Sequence, residues 1–214
     1  NPSAPPDYLY RSMVWFSTNT THWTTGTLVG RDHEWFWSMV WREGTAYSVG
    51  YKTAEPRGTR LVTSTNGTNW STHVEPLFTA NYPNETALVF EDNGPLYCLL
   101  RRDASPYTAQ LGTAHPPYTS WTWKDLGTRI GGPAMIQLYD GRLLAAVRRY
   151  DPAYRTGLGW VDPERGTFTE ALILPSDGDT SYAGMVWHRD RLWVSYYSSH
   201  ETKTSIYIAE VAYN

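Results

Sequence analysis

The sequence predicts an all-β chain, and within that class a β-propeller of four-stranded antiparallel blades, on three observations. A hairpin recurs: Gly94-Pro-Leu-Tyr-Cys-Leu-Leu-Arg101-Arg102 is followed 47 residues later by Gly141-Arg-Leu-Leu-Ala-Ala-Val-Arg148-Arg149, and a period near fifty residues marks a stacked repeat. A polar turn closed by a Trp falls between hairpins, at Ser17-Thr-Asn19-Thr-Thr-His-Trp23 and Ser64-Thr-Asn66-Gly67-Thr-Asn-Trp70, where the Asn side chain can hold the turn and the Trp can anchor it to a sheet. No stretch of useful length carries the 3.6-residue apolar period of an amphipathic helix. An inner hairpin joined to an outer turn, repeated along the chain, is the pattern of propeller blades.

Taken in order, residues from Tyr8 to Val29 supply an outer pair of strands. Trp37-Ser-Met-Val-Trp41, the turn at Glu43-Gly44 and Ala46-Tyr-Ser-Val-Gly-Tyr51 give the first full hairpin. The next runs from Thr86 to Phe90, turns at Asp92-Asn93-Gly94 and returns from Leu96 to Leu100, the turn residues being those that accept positive φ. The last is Met185-Val-Trp-His188, Asp190 and Leu192-Trp-Val-Ser-Tyr-Tyr197. Whole blades are expected over residues 35 to 75, 85 to 126 and 133 to 174, with three strands over 182 to 212. Two outer strands and three inner ones do not sum to one blade, and open strand edges invite pairing. The expectation is therefore one propeller domain over residues 1–214, about four and a half blades, forming a C-terminal portion that lacks an N-terminal part.

Composition narrows the classes of function. With 214 residues and 41% hydrophobic content the chain can bury a core, and a formal net charge of -3 gives no polybasic signature of nucleic acid or anionic membrane. Aromatic content of 15% with 11 Trp exceeds what a core needs and suits stacking on sugar rings, although packing is the default for any single Trp. The lone Cys98 has no partner for a disulfide and reads as a small buried hydrophobe. No apolar run reaches membrane-spanning length, so no membrane insertion is expected. The N-terminal Asn1-Pro-Ser-Ala-Pro-Pro lacks a signal peptide's basic region and apolar core, so any export signal has been removed or lies upstream. The six histidines show no ligand spacing and no Gly-rich phosphate loop precedes a helix, so neither metal nor cofactor is expected. Asn19, Asn66, Asn69 and Asn84 sit in glycosylation sequons, and a glycan on Asn84 would crowd Glu85.

Glu85 and Arg101 precede and follow one hairpin, and because the second strand returns antiparallel they share a rim. In the sibling hairpin Arg148 and Arg149 recur, but Gly132 stands where Glu85 does. These features resemble the sialidase superfamily. The Ser/Thr-x-Asn-Gly-x-x-Trp turns are similar to its Asp-box repeats with Asn in place of Asp, and the spacing of sixteen from Glu85 to Arg101 is similar to its glutamate and arginine around an inner hairpin. Thr180-Ser-Tyr182-Ala-Gly-Met-Val resembles its nucleophile segment, and Arg155-Thr-Gly-Leu-Gly-Trp-Val-Asp, 27 residues before Tyr182, its last substrate arginine.

The resemblance implies a six-bladed propeller and a retaining exo-glycoside hydrolase acting on sialic acid or a related acidic sugar. Tyr182 would be the nucleophile, Glu85 its base, and Arg101 and Arg155 the substrate-binding pair, with Arg148 as substitute for Arg155. Guanidinium forks suit a carboxylate, and a neutral phenol attacks beside that carboxylate better than an anion would. It also implies a secreted or periplasmic protein with an acidic glycan as partner, completed by another chain or a further segment. The family's Arg-Ile-Pro segment and acid/base Asp have no counterpart here, so the 214-residue chain is expected to be inactive alone. Two rivals stand beside this reading: a non-catalytic carbohydrate-binding or structural propeller, and a propeller-shaped polysaccharide lyase acting on a uronate.

Overall fold

The computed structural model describes residues 10–92 and 94–212. The segment Asn1-Pro-Ser-Ala-Pro-Pro, Tyr8 at the start of the expected outer pair, and Asn93 of the expected hairpin turn lie outside the described residues. The chain divides into two compact units, residues 1–80 and 81–214. Among the described residues, no helix is long and apolar enough to cross a membrane.

The first unit pairs β1 (Ser12–Val14) with β2 (Thr27–Val29) and follows them with one antiparallel sheet of β3 (Glu34–Arg42), β4 (Thr45–Lys52), β5 (Thr59–Ser64) and β6 (Ser71–Phe78) in chain order. Between β3 and β4 the two-residue turn Glu43-Gly44 has φ of 49° and 76°, the positive pair that matches the twist of a hairpin. Between β5 and β6 the polar turn forms as its residues suggest. Asn66 Oδ1 accepts the backbone N–H groups of Thr68 and Asn69 at 3.0 and 2.8 Å, and Trp70 Nε1 donates to the Gly67 carbonyl at 2.9 Å. Under the sheet Arg60 donates from Nε and Nη2 to the two oxygens of Glu34 at 2.5 and 2.6 Å, both side chains almost wholly buried.

The second unit holds three sheets, each a meander in chain order. They are β7 (Pro83–Phe90), β8 (Leu96–Arg102), β9 (Thr108–Ala114) and β10 (Thr122–Arg129); β11 (Gly131–Gln137), β12 (Leu143–Arg149), β13 (Arg155–Asp162) and β14 (Thr167–Ile173); and β15 (Thr180–His188), β16 (Arg191–Ser198) and β17 (Ser205–Ala212). The first strands lie side by side, β11 packing against both β7 and β15. This is blade packing, and it explains why β12 reads Leu-Leu-Ala-Ala-Val without alternation. Leu143, Ala145 and Val147 enter a core shared with Leu99, Leu111 and Ile130, while Leu144 and Ala146 enter a second with Leu158, Leu192 and Val194. A strand with successive side chains on opposite faces must be apolar throughout when both faces are covered. Cys98 is buried and unpaired.

One irregularity positions the site. The first strand of each of the four larger sheets slips register once near its start, between Phe36 and Met39, Pro83 and Thr86, Gly131 and Ala134, and Ser181 and Gly184. In each case two residues face one on the partner strand, which makes a β-bulge that bends the strand and re-aims its side chains.

Candidate active site

Glu85 lies in the bulge of β7, Gly132 in that of β11 and Tyr182 in that of β15. Because these three strands are neighbours, their bulges meet. Glu85 is 6% exposed. Its Oε1 accepts the Tyr182 phenol at 2.8 Å, and its Oε2 accepts Arg101 Nη1 at 2.7 Å and the Gly132 N–H at 2.8 Å. Arg101, on β8, is gripped from its other side by Asp103, Nε to Oδ1 at 3.1 Å and Nη2 to Oδ2 at 2.9 Å. Burial works against the Arg101 charge, and the adjoining Glu85 carboxylate, with smaller help from Tyr150 and Asp103, outweighs it and raises the pKa. Asn84, buried beside the site, donates to Asp103 Oδ2 at 2.8 Å, which leaves no room for a glycan there.

Tyr182 is strained where the other members are not. Its φ is +47°, in the left-handed region that an aromatic side chain rarely enters, and a backbone held there costs about 1–3 kcal/mol. The ring rests directly on Gly132: a Cβ added to that glycine, whose φ is +52°, would stand 2.6 Å from Tyr182 Cδ1. Only glycine both accepts the backbone angle and yields the space. The phenol remains 45% exposed as a residue, and its pKa is pushed up to about 12, first by burial and then by the Glu85 carboxylate.

Arg148 completes the cluster. Its guanidinium carbon lies 5.5 Å from the centroid of the Tyr182 ring. Nε donates to the Thr180 carbonyl at 2.6 Å, and Nη2 to Asp179 Oδ1 at 2.8 Å and to the Tyr197 phenol oxygen at 2.7 Å. Tyr197 itself donates to Asp179 Oδ1 at 2.6 Å. Among the described residues no hydrogen bond uses Arg148 Nη1.

Arg155 is not brought to this cluster. It begins β13, the third strand of its sheet and two strands out from β11, a displacement of about 10 Å at ordinary strand spacing. Among the described residues its Nη2 reaches only the Asp151 carbonyl at 3.4 Å, and its buried Nε finds no partner. The arginine beside Tyr182 is Arg148, which stands 47 residues after Arg101 in the repeated hairpin. Three members were not read from the sequence. Asp103 and Asp179 carry a weak signal, one lying two residues after Arg101 and the other three before Tyr182. Gly132 acts through its backbone N–H and its missing Cβ, and nothing in a residue name announces that. No group of three or more His, Cys, Asp or Glu side chains among the described residues is arranged to hold a metal ion.

No family model matches the chain, and no curated protein matches it. Solved structures do. A protein of unknown function from Dyadobacter fermentans DSM 18053 is similar with a TM-score of 0.69 and 20% identity over 81% of this chain and 51% of its own. An endo-arabinase from Bacteroides thetaiotaomicron VPI-5482 is similar with a TM-score of 0.60 and 16% identity over 82% of this chain and 74% of its own. An arabinanase from Bacillus subtilis follows at 0.57 and 15%, over 80% and 69%. The chain thus spans about half the length of the Dyadobacter protein. At these identities the likeness shows the fold alone, a β-propeller. None of these neighbours is named as a sialidase, so the narrower family read from the motifs finds no support in them.

Proposed function

We propose that residues 81–214 carry the nucleophile side of a retaining exo-glycosidase site for an acidic sugar, with sialic acid the sugar whose chemistry fits best. The observation that carries this reading is the 2.8 Å contact between the Tyr182 phenol and Glu85, with Arg101 on the other carboxylate oxygen. The sugar carboxylate binds to Arg101 and to Arg148, whose Nη1 makes no hydrogen bond among the described residues. Tyr182 attacks the anomeric carbon as its proton passes to Glu85 Oε1, and the glycosidic bond breaks with the leaving oxygen taking a proton from water. The hydroxide so formed displaces the sugar from Tyr182, and the freed phenolate retakes its proton from Glu85, returning the site to its starting state.

Several features favour this over a pair of carboxylates acting on a neutral pentosan. Such a pair needs one acid and one base or nucleophile at about 5–9.5 Å. Both oxygens of Glu85 are already engaged, and Asp103 is committed to Arg101. A phenol with a pKa near 12 stays protonated at neutral pH, so attack demands a base at hydrogen-bond distance, the place Glu85 occupies. The same reading implies a six-bladed propeller fold and a secreted or periplasmic protein.

The substrate class is tested by calorimetry with N-acetylneuraminic acid and its methyl ester, which keeps every group except the anionic carboxylate. Saturable binding of the acid with loss of binding by the ester supports the reading. Equal affinity for both, or no binding of either, contradicts it.

A further inference from the structure

We propose a second sugar site in residues 81–214, at the end of the sheets opposite Glu85, that takes a neutral saccharide. A cavity of about 480 Å³ opens there between the first and second sheets, within the roughly 300–1,000 Å³ usual for small-molecule sites. Its lining includes Tyr97, Trp160, Glu91, Glu164, Arg142 and Thr169. Glu85 stands near the start of β7 and Glu91 just past its end, so strand rise separates the two sites by about 20 Å.

The cavity is preformed. Its far wall is the turn between β13 and β14, where Asp162 Oδ1 accepts the backbone N–H groups of Glu164 and Arg165, each at 2.9 Å. Lys124 on β10 reaches across from the first sheet and donates from Nζ to the carbonyls of Pro163 at 2.8 Å and Glu164 at 2.5 Å. The near wall is fixed by the Tyr97 phenol, which donates to Glu91 Oε2 at 3.0 Å. Holding both walls before a ligand arrives lowers the ordering cost of binding.

The lining chooses the ligand. Both arginines are already neutralised, Arg142 by Asp140 at 2.7 Å and Arg165 by Asp162 at 3.4 Å, while the Glu164 carboxylate has no ion-pair partner among the described residues. An anionic sugar therefore meets no unpaired guanidinium there, and the Lys124 ammonium is held on the turn carbonyls. Carboxylates accept hydrogen bonds and cannot donate, so they suit a ring bearing hydroxyl donors, and the half-buried Trp160 suits its C–H groups, Tyr97 being buried behind. Arg142, whose guanidinium carbon lies 4.1 Å from the Trp160 ring centroid, braces that wall. This chemistry is the reverse of the arginine-flanked cluster at Glu85 and stands independently of the function proposed for it.

The test uses the 214-residue chain labelled with ¹⁵N at tryptophan, with the Trp160 indole resonance assigned by W160F. Lactose and xylobiose, added at millimolar concentrations, are expected to move that resonance saturably, whereas N-acetylneuraminic acid leaves it in place. E164Q, a change at an exposed turn, is expected to weaken binding of the neutral sugar about tenfold through one charge-assisted hydrogen bond, with binding of N-acetylneuraminic acid unchanged. A resonance unmoved by both neutral probes, moved equally by the acid, or titrating with the same affinity in E164Q would overturn the proposal.

Discussion

Arg148 and Arg155 separate what a side chain's position in sequence implies from where the fold delivers it. Both follow Arg101 and precede Tyr182, but only Arg148 lies on a second strand, one strand from the meeting bulges, as Arg101 does. Removing either guanidinium therefore has different consequences. Arg148→Ala should weaken binding of an acidic sugar by about ten- to a hundredfold, the worth of one charge-assisted contact, while Arg155→Ala should change it by less than about twofold. Calorimetry on the two variants distinguishes them. The Tyr182 and Glu85 pair makes its own prediction. Burial and the Glu85 carboxylate push the phenol from 10.0 to about 12 against the lowering effect of Arg101 and Arg148, so Glu85→Gln should bring it down. The ring resonances of ¹³C-tyrosine, followed through an alkaline titration, report the change.

At the scale of elements, the bulges near the starts of β7, β11 and β15 bring three sheets to one point. The hairpins were legible in the sequence because the returning strands β8 and β12 are apolar on both faces and the turns carry residues that accept positive φ. Glu85 and Arg101 were legible for the same reason, since one hairpin fixes both. The bulges were not, because Asn84-Glu85, Gly132-Pro133 and Tyr182-Ala183 share no residue type. What they share is an extra residue in a ladder, and that shows only when the partner strand is known. Gly132 is where this matters most. Gly132→Ala places a Cβ 2.6 Å from Tyr182 and strains a φ of +52°, so it should displace the phenol and slow its reaction by about a hundredfold, the scale expected of an ångström's misplacement. Gly141→Ala is the control. Its φ is +85°, but its Cβ would meet nothing nearer than 4.0 Å, so it should carry the backbone penalty without the loss of reactivity. Comparison of melting temperature with reactivity in the two variants separates strain from positioning.

Across the larger unit, two cores on either side of the second sheet hold the three sheets in the arrangement the site requires. This level of organisation followed from the repeat, and the expected blade boundaries fall within a few residues of the observed sheets. The narrower family did not follow, because the residues that would define it are few and the similar solved structures share only the fold. The unit also links stability to alkaline pH. Tyr97, Tyr182 and Tyr197 each have a pKa raised from 10.0 to about 12, in every case first by burial and then by a nearby carboxylate. A phenol that binds its proton more tightly when folded contributes fully below pH 10, and that contribution is lost as pH rises toward 12. Melting temperature should therefore fall across this window, and fall less steeply in Tyr197→Phe. The most direct measurement is covalent capture at Tyr182 by a sialosyl fluoride bearing a second fluorine beside the anomeric carbon. Fluoride leaves without an acid catalyst, and the second fluorine slows release of the trapped sugar. Peptide mapping should find one sugar on Tyr182 in the wild-type chain and none in Tyr182→Phe; an unmodified Tyr182, or an adduct on another residue, would contradict the assignment of the nucleophile.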